Sequence, residues 1–230
     1  MSTPMDFARL TAFLADLAEN NRREWFEAHR PEYQALRGQF TAFVGEVIER
    51  TADFDERVRW KDPGDCIFRI YRDVRFSHDK SPYKTTFSAY VSEQNRRGAP
   101  PGYYLEVDEK GVMLPAAGIW LPPADVLARL RASLAEHPER FERALRSRGF
   151  RKMFGELQGD RLSRPPRGYT ADTPLIEHIK RKSYIVWRET DARQMSHDDA
   201  LAYVLESFRT ARPLVDWVRR VLEVGGDEPD

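Results

Sequence analysis

Apolar residues recur at helical spacing through the first fifty positions. Phe7, Leu10, Phe13, Leu14 and Leu17 return every three or four residues, which predicts one helical face. The polar stretch NNRREWF at 20–26 interrupts that face, and Asn20 or Asn21 is expected to cap a second helix. Pro31 suits the first turn of a third helix. There Tyr33, Leu36, Phe40, Phe43, Val44, Val47 and Ile48 keep a single stripe, which reads as core.

At Cys66 the period changes to two. CIFRIYRDVRF, residues 66–76, is rich in β-branched and aromatic side chains and predicts a strand. From Thr86 to Glu93, Phe87, Ala89 and Val91 alternate with Thr86, Ser88 and Tyr90. GYYLEVDEKGVML at 102–114 predicts a hairpin turning near Asp108–Gly111, and Gly118–Pro123 closes the region. Short consecutive strands with tight turns imply an antiparallel meander.

Helical spacing returns at 124–147, with Val126, Leu127, Leu130 and Leu134 on one stripe. Pro138 restarts a shorter helix carrying Phe141 and Leu145. FRKMFGELQGDRLSRPPRGY, 150–169, reads as irregular and basic. Asp172 is expected to cap a short helix from Pro174, and SYIVWRE at 183–189 reads as a strand. Ser196 and Asp199 form a capping-box pattern that opens a last helical region to about Val224, with a break expected at Pro213. The tail GGDEPD, 225–230, is expected to be disordered. The longest irregular pieces are 94–101 and 158–170. No repeat or linker divides the chain. The expectation is therefore one α+β domain over 1–230, an antiparallel sheet flanked by N-terminal and C-terminal helices.

Composition narrows the partners. The 230 residues carry 37 basic and 37 acidic side chains, so bulk electrostatics do not favour general nucleic-acid binding. The lysines are Lys61, Lys80, Lys84, Lys110, Lys152, Lys180 and Lys182; the other basic residues are arginine, so arginine density alone marks no site. One cysteine, Cys66, excludes an internal disulfide and suits a reducing cytoplasm. The start, MSTPMDFARL, does not read as a signal peptide, and no run approaches the roughly 18 apolar residues of a membrane span. Oligomeric state is not legible.

Chemistry concentrates in RIYRDVRFSHDKSPYK, residues 69–84. On a strand, Arg69, Tyr71, Asp73 and Arg75 share one face, while Arg72 falls among Ile70 and Val74 and needs a carboxylate, an anion or a route to water. Turn formers then place Ser77, His78, Asp79 and Lys80 at the strand end, with Tyr83 and Lys84 leading into the next strand. Arg69, Arg72, Arg75, Lys80 and Lys84 would surround Asp73 and Asp79. Three readings stay open. Convergent arginines match phosphate or carboxylate, giving a polar pocket in which Arg69, Arg72, Arg75 and Lys80 contact the anion. Asp73 and Asp79 would orient those cations, and Tyr71 and Tyr83 would line the site. Alternatively Asp73 or Asp79 serves as base or divalent-metal ligand, or His78 moves protons, in phosphoryl or acyl-phosphate chemistry. Or the charges form a structural ion-pair brace.

The same residues resemble a family of uncharacterised proteins, domain of unknown function 2461. The resemblance rests on Arg69, Arg72, Asp73, Arg75, Phe76, Asp79, Lys80 and Tyr83. NNRREWF and GYYLEV…GIWLPP extend it over nearly the whole chain. His78 stands where the resemblance leads one to expect lysine or another polar residue. The resemblance implies where a site lies and implies no activity.

Elsewhere the patterns are negative. His29, His78, His137, His178 and His197 show no paired ligand spacing, and His137 and His197 suit helix ends. DFDERVRWKDPGD fails as a calcium loop because Arg57 stands at a ligand position. No phosphate-cradling glycine loop is present, and Ser77 and Ser81 lack a nucleophile-elbow context. A second basic run spans 161–188: Arg161, Arg164, Arg167, Lys180, Arg181, Lys182 and Arg188, against Asp172 and Glu177. It reads as a solvated face. Alternatively it is a nucleic-acid or protein interaction surface with Tyr103, Tyr104, Trp120, Tyr169 and Trp187 as stacking faces.

Overall fold

The computed structural model describes residues 3–75, 77–94 and 100–223. Phe76, the centre of the 94–101 loop and the tail at 225–230 lie outside them. Two compact units emerge: Met1–Val91 with Tyr104–Pro115 and Glu189–Glu206, and Ser92–Tyr103 with Ala116–Arg188 and Ser207–Asp230.

The first unit opens with α1 (Phe7–Glu19), α2 (Arg23–Ala28) and α3 (Arg30–Ala52). Asp6 caps α1 by accepting from the Arg9 amide at 2.9 Å, and Pro31 stands in the first turn of α3. Neither asparagine caps α2. Asn20 ends α1, its Nδ2 donating to the Asp16 carbonyl at 3.0 Å, and Asn21 is used elsewhere. Arg22 holds the N-cap position of α2 without a side-chain bond. The predicted stripes make the core: Phe7 meets Phe43 edge-on, and Phe87 meets Tyr33 and Phe40. A short helix, α4 (Pro63–Cys66), follows, capped by Asp62.

The sheet contains β1 (Thr86–Val91), β2 (Gly102–Asp108), β3 (Val112–Ile119), β4 (Tyr184–Trp187) and β5 (Thr190–Asp191). The order is β1-β2-β3-β4, and β5 pairs with the first residues of β3. It is antiparallel, as the meander pattern predicts. Asp108 accepts from the amides of Lys110 and Val112 at 3.0 and 2.8 Å, which shapes the β2–β3 turn, and Gly111 completes it at φ +83°. Gly118, at φ +128°, pairs with Ile185; a Cβ there would lie 2.1 Å from the Tyr184 carbonyl oxygen.

The second unit holds α5 (Ala124–Glu136), α6 (Pro138–Leu145), α7 (Arg148–Phe154) and α8 (Ile176–Ile179). It also contains β4 and the C-terminal part of α9 (His197–Glu223), which starts in the first unit. Phe141 packs on Trp217 at 4.8 Å, and Trp217 on Tyr184 at 5.5 Å. Arg129 donates to the carbonyls of Val221 and Leu222, satisfying acceptors at the end of α9.

Four local expectations need correction. A helix over 148–154 runs into the stretch 150–169 read as irregular, because Ser147 caps it and Phe150 and Phe154 bury one side. The short helix begins at Ile176 with Leu175 left-handed at φ 54°, so Asp172 is not its cap. α9 runs unbroken through Pro213. Phe208, Ala211, Leu214, Val215, Trp217 and Val218 are buried around it, which outweighs the one hydrogen bond a proline removes. Finally, the described residues of 66–76 do not form a continuous strand. Their pairing reduces to two antiparallel bridges, Ile67 with Ala89 and Tyr71 with Tyr83.

Of the two helix-end histidines, His137 stands between α5 and α6 without a side-chain cap bond. His197 opens α9; its Nδ1 accepts from the Met5 amide at 3.0 Å and its Nε2 lies 3.1 Å from Glu46. The capping box at Ser196 and Asp199 forms as predicted.

Candidate functional site

Ile67 bridges Ala89 of β1, and Tyr71 bridges Tyr83 within the segment itself, all in the first unit. The Phe68 amide donates to the Ser88 carbonyl at 2.9 Å, Arg72 to Pro82 at 2.9 Å, and Lys84 to Ile70 at 2.7 Å. Past Arg72 the side chains take over from the ladder. Asp73 accepts from the Arg75 amide at 3.3 Å, and Lys80 Nζ donates to the Val74 carbonyl at 3.0 Å. Both bonds turn the backbone away from β geometry, which is why the predicted strand stops short.

The alternation of faces survives. Ile70 is buried and Arg72 and Val74 are half-buried, while Arg69, Tyr71, Asp73 and Arg75 face solvent. His78, Asp79 and Lys80 are also exposed. The cluster is thus an open strip, and Arg72, Arg75, Lys80 and Lys84 each have a partner. Arg72 meets Asp79. Arg75 grips Asp73 through two bonds, Nε to Oδ1 at 2.9 Å and Nη2 to Oδ2 at 2.7 Å. Lys84 Nζ sits 5.2 Å from the centroid of the Phe68 ring, and Phe68 leans on Tyr104. Among the described residues, Arg69 makes no hydrogen bond or ion pair; it acts on Asp73 only at longer range.

These contacts set the charge states. The Ser81 hydroxyl and amide, then the Arg72 guanidinium, hold the Asp79 carboxyl far below the usual carboxylate range. The Arg75 guanidinium and amide hold Asp73 down in the same way. Both acids are ionised at neutral pH, which suits orienting cations and is poor for donating protons. Burial raises the Tyr83 phenol, with the Tyr71 hydroxyl adding to it.

The aromatic wall is partly as expected. Tyr83 is only 3% exposed and stacks on Phe26 at 4.0 Å, so it supports the strip from below. Tyr71 is 45% exposed. The helices supply residues that sequence reasoning missed. Asn21 clamps Tyr83, donating to its carbonyl at 3.0 Å and accepting from its amide at 3.1 Å. Arg30 pairs with Glu27 through bonds of 2.7 and 2.5 Å, and its guanidinium also engages the Tyr71 hydroxyl. NNRREWF contained that signal, since Asn21 and Phe26 both lie in it.

The second basic run is largely neutralised by carboxylates, two of which lie just before it. Glu156 takes Arg161 at 2.6 Å and the buried Arg181 at 3.2 Å. Asp160 takes Lys182, and Glu177 takes Lys180. Arg188 donates to Ser207 at 2.7 Å. Of the aromatics named as stacking faces, Tyr103 is fully buried against Phe208, because its position on β2 points into the core. Trp120 is half exposed. Among the described residues no group of three or more His, Cys, Asp or Glu side chains is placed to hold a metal ion. No helix there is long and apolar enough to cross a membrane.

Fold and strip together define a class: mixed α+β chains in which an antiparallel sheet carries an arginine-rich extended segment beside its first strand. The chain belongs to the conserved hypothetical protein family DUF2461, whose family model matches residues 9–217. No curated protein and no solved structure matches it.

Proposed function

We propose that the exposed strip at 69–84 binds a phosphorylated or carboxylated ligand. The observation that carries this reading is Arg69. It faces solvent without a partner among the described residues, while the neighbouring cations are held by Asp79, Asp73, the Val74 carbonyl and the Phe68 ring. A guanidinium offers two parallel donors to a phosphate or carboxylate. Arg75, six residues further along the strip, leaves 76% of its side chain in water. Asp73 keeps it oriented. With a single cysteine, the protein is suited to the reducing cytoplasm in which we place it.

A brace reading has its own support. Asp79 is committed to Ser81 and Arg72, and Asn21 is committed to Tyr83. The two readings divide the residues differently. A thermal-shift screen of phosphorylated metabolites, with and without magnesium or manganese, separates them. Binding predicts stabilisation that Arg69→Ala and Arg75→Ala abolish while both variants stay folded. Loss of fold in Arg69→Ala, or an unchanged ligand shift, counts against binding. Turnover of a generic phosphoester in the same samples tests the metal-dependent enzyme reading.

A further inference from the structure

We infer that the ligand of this strip is a nucleotide, with its phosphate on Arg69 and its base stacked on Tyr71. The inference rests on the anion-binding reading and adds the ring. Tyr71 is the anomaly. Its cross-strand partner Tyr83 is buried, yet Tyr71 leaves 45% of its surface in water. It is nevertheless held in place. Its ring leans on Tyr83 at 5.5 Å and 48° and on Phe26 at 6.3 Å and 59°, and its hydroxyl is engaged by Arg30. Tilted contacts on one side hold the ring and leave part of it open. That is a stacking platform whose ordering cost is already met.

Arg69 is two residues from Tyr71 on the same exposed face, about 7 Å along an extended chain. A donor fork and an aromatic face at that spacing match the phosphate and base of a mononucleotide. Inorganic phosphate or a sugar phosphate would satisfy Arg69 and leave Tyr71 unused. Asp73, on the same face, is paired by Arg75, which offsets its repulsion of a phosphate.

The test is calorimetric titration with AMP, ribose 5-phosphate and inorganic phosphate on wild type, Tyr71→Leu, Tyr71→Phe and Arg69→Ala. AMP should bind about tenfold or more tighter than ribose 5-phosphate, from base–aromatic stacking. Tyr71→Leu should erase that preference and keep ribose 5-phosphate binding; Tyr71→Phe should retain it; Arg69→Ala should lose all three ligands. Should Tyr71→Leu fail to fold, the wild-type protein decides by NMR: a nuclear Overhauser contact between adenine protons and the Tyr71 ring supports the inference, and its absence in the AMP complex overturns it. Equal affinity for AMP and ribose 5-phosphate overturns the nucleotide inference and leaves anion binding standing. An AMP preference that survives Tyr71→Leu overturns it as well. No binding of any of the three removes both readings.

Discussion

Arg72 shows how far single-residue reasoning reaches. A guanidinium placed between Ile70 and Val74 requires a counter-charge, and Asp79, seven residues on, supplies it. The need was legible from the sequence; that Asp79 would meet it, rather than an anion or water, was not. Asn21 was not legible, because its partner is 62 residues away and its identity equally suits a helix cap. Removing it should leave the Tyr83 amide and carbonyl without their side-chain partners. Asn21→Ala is expected to cost about 1–3 kcal/mol in urea unfolding, and a change below a few tenths would contradict the clamp. Asp191 gives the pH-dependent case. Arg193 holds its carboxyl near about 2 instead of 3.8. Between those values the unfolded chain binds the proton and the folded chain does not. The contact therefore stabilises the fold above about pH 4, and that contribution fades as the pH falls towards 2. Carboxyl ¹³C titration should place Asp191 near 2 in wild type and higher in Arg193→Ala, where the backbone amide of residue 193 still bonds the carboxylate; the same midpoint in both would refute the assignment.

The long apolar stripes were predicted correctly, and several features set by single side chains were not. The stripes of α1 and α3 follow from burial, which repeats along an element; β1 forms where alternation predicts it, although Phe87, Ser88 and Ala89 are all buried. The end of the 67–72 pairing depends on Asp73 and Lys80 bonding to nearby backbone, which no periodicity records. α9 marks the opposite limit: a local breaker, Pro213, overridden by packing on both sides of it. Pro213→Ala should restore an amide donor and raise stability by up to about 3 kcal/mol, with a lower denaturation midpoint as the contradicting result. Gly118 is the inverse. Its φ of +128° and its approach to Tyr184 leave no space for a methyl group, so Gly118→Ala should lose about 3 kcal/mol or more through the β3–β4 pairing. A near-neutral result would show that the strands separate at little cost.

Across the whole molecule, 37 positive and 37 negative charges balance, and the basic run at 161–188 meets carboxylates at Glu156, Asp160 and Glu177. Acidic residues just outside a basic window escape a reading confined to it. Random duplex DNA should accordingly not bind in filter assays at about 0.15 M salt; tight binding with a steep salt slope would revive the interaction-module reading. The α+β class was legible because helical and strand periods occupy separate stretches of the chain. The position of the charged strip was legible from its charge pattern. Its open form was not, since exposure depends on how the pairing beside β1 ends. The most direct test of anion binding is NMR titration of the arginine Nε–H resonances with pyrophosphate. Arg69 should shift saturably while Arg193, paired to Asp191, stays in place. An unmoved Arg69, or all guanidinium signals drifting together in proportion to ionic strength, would contradict the proposal.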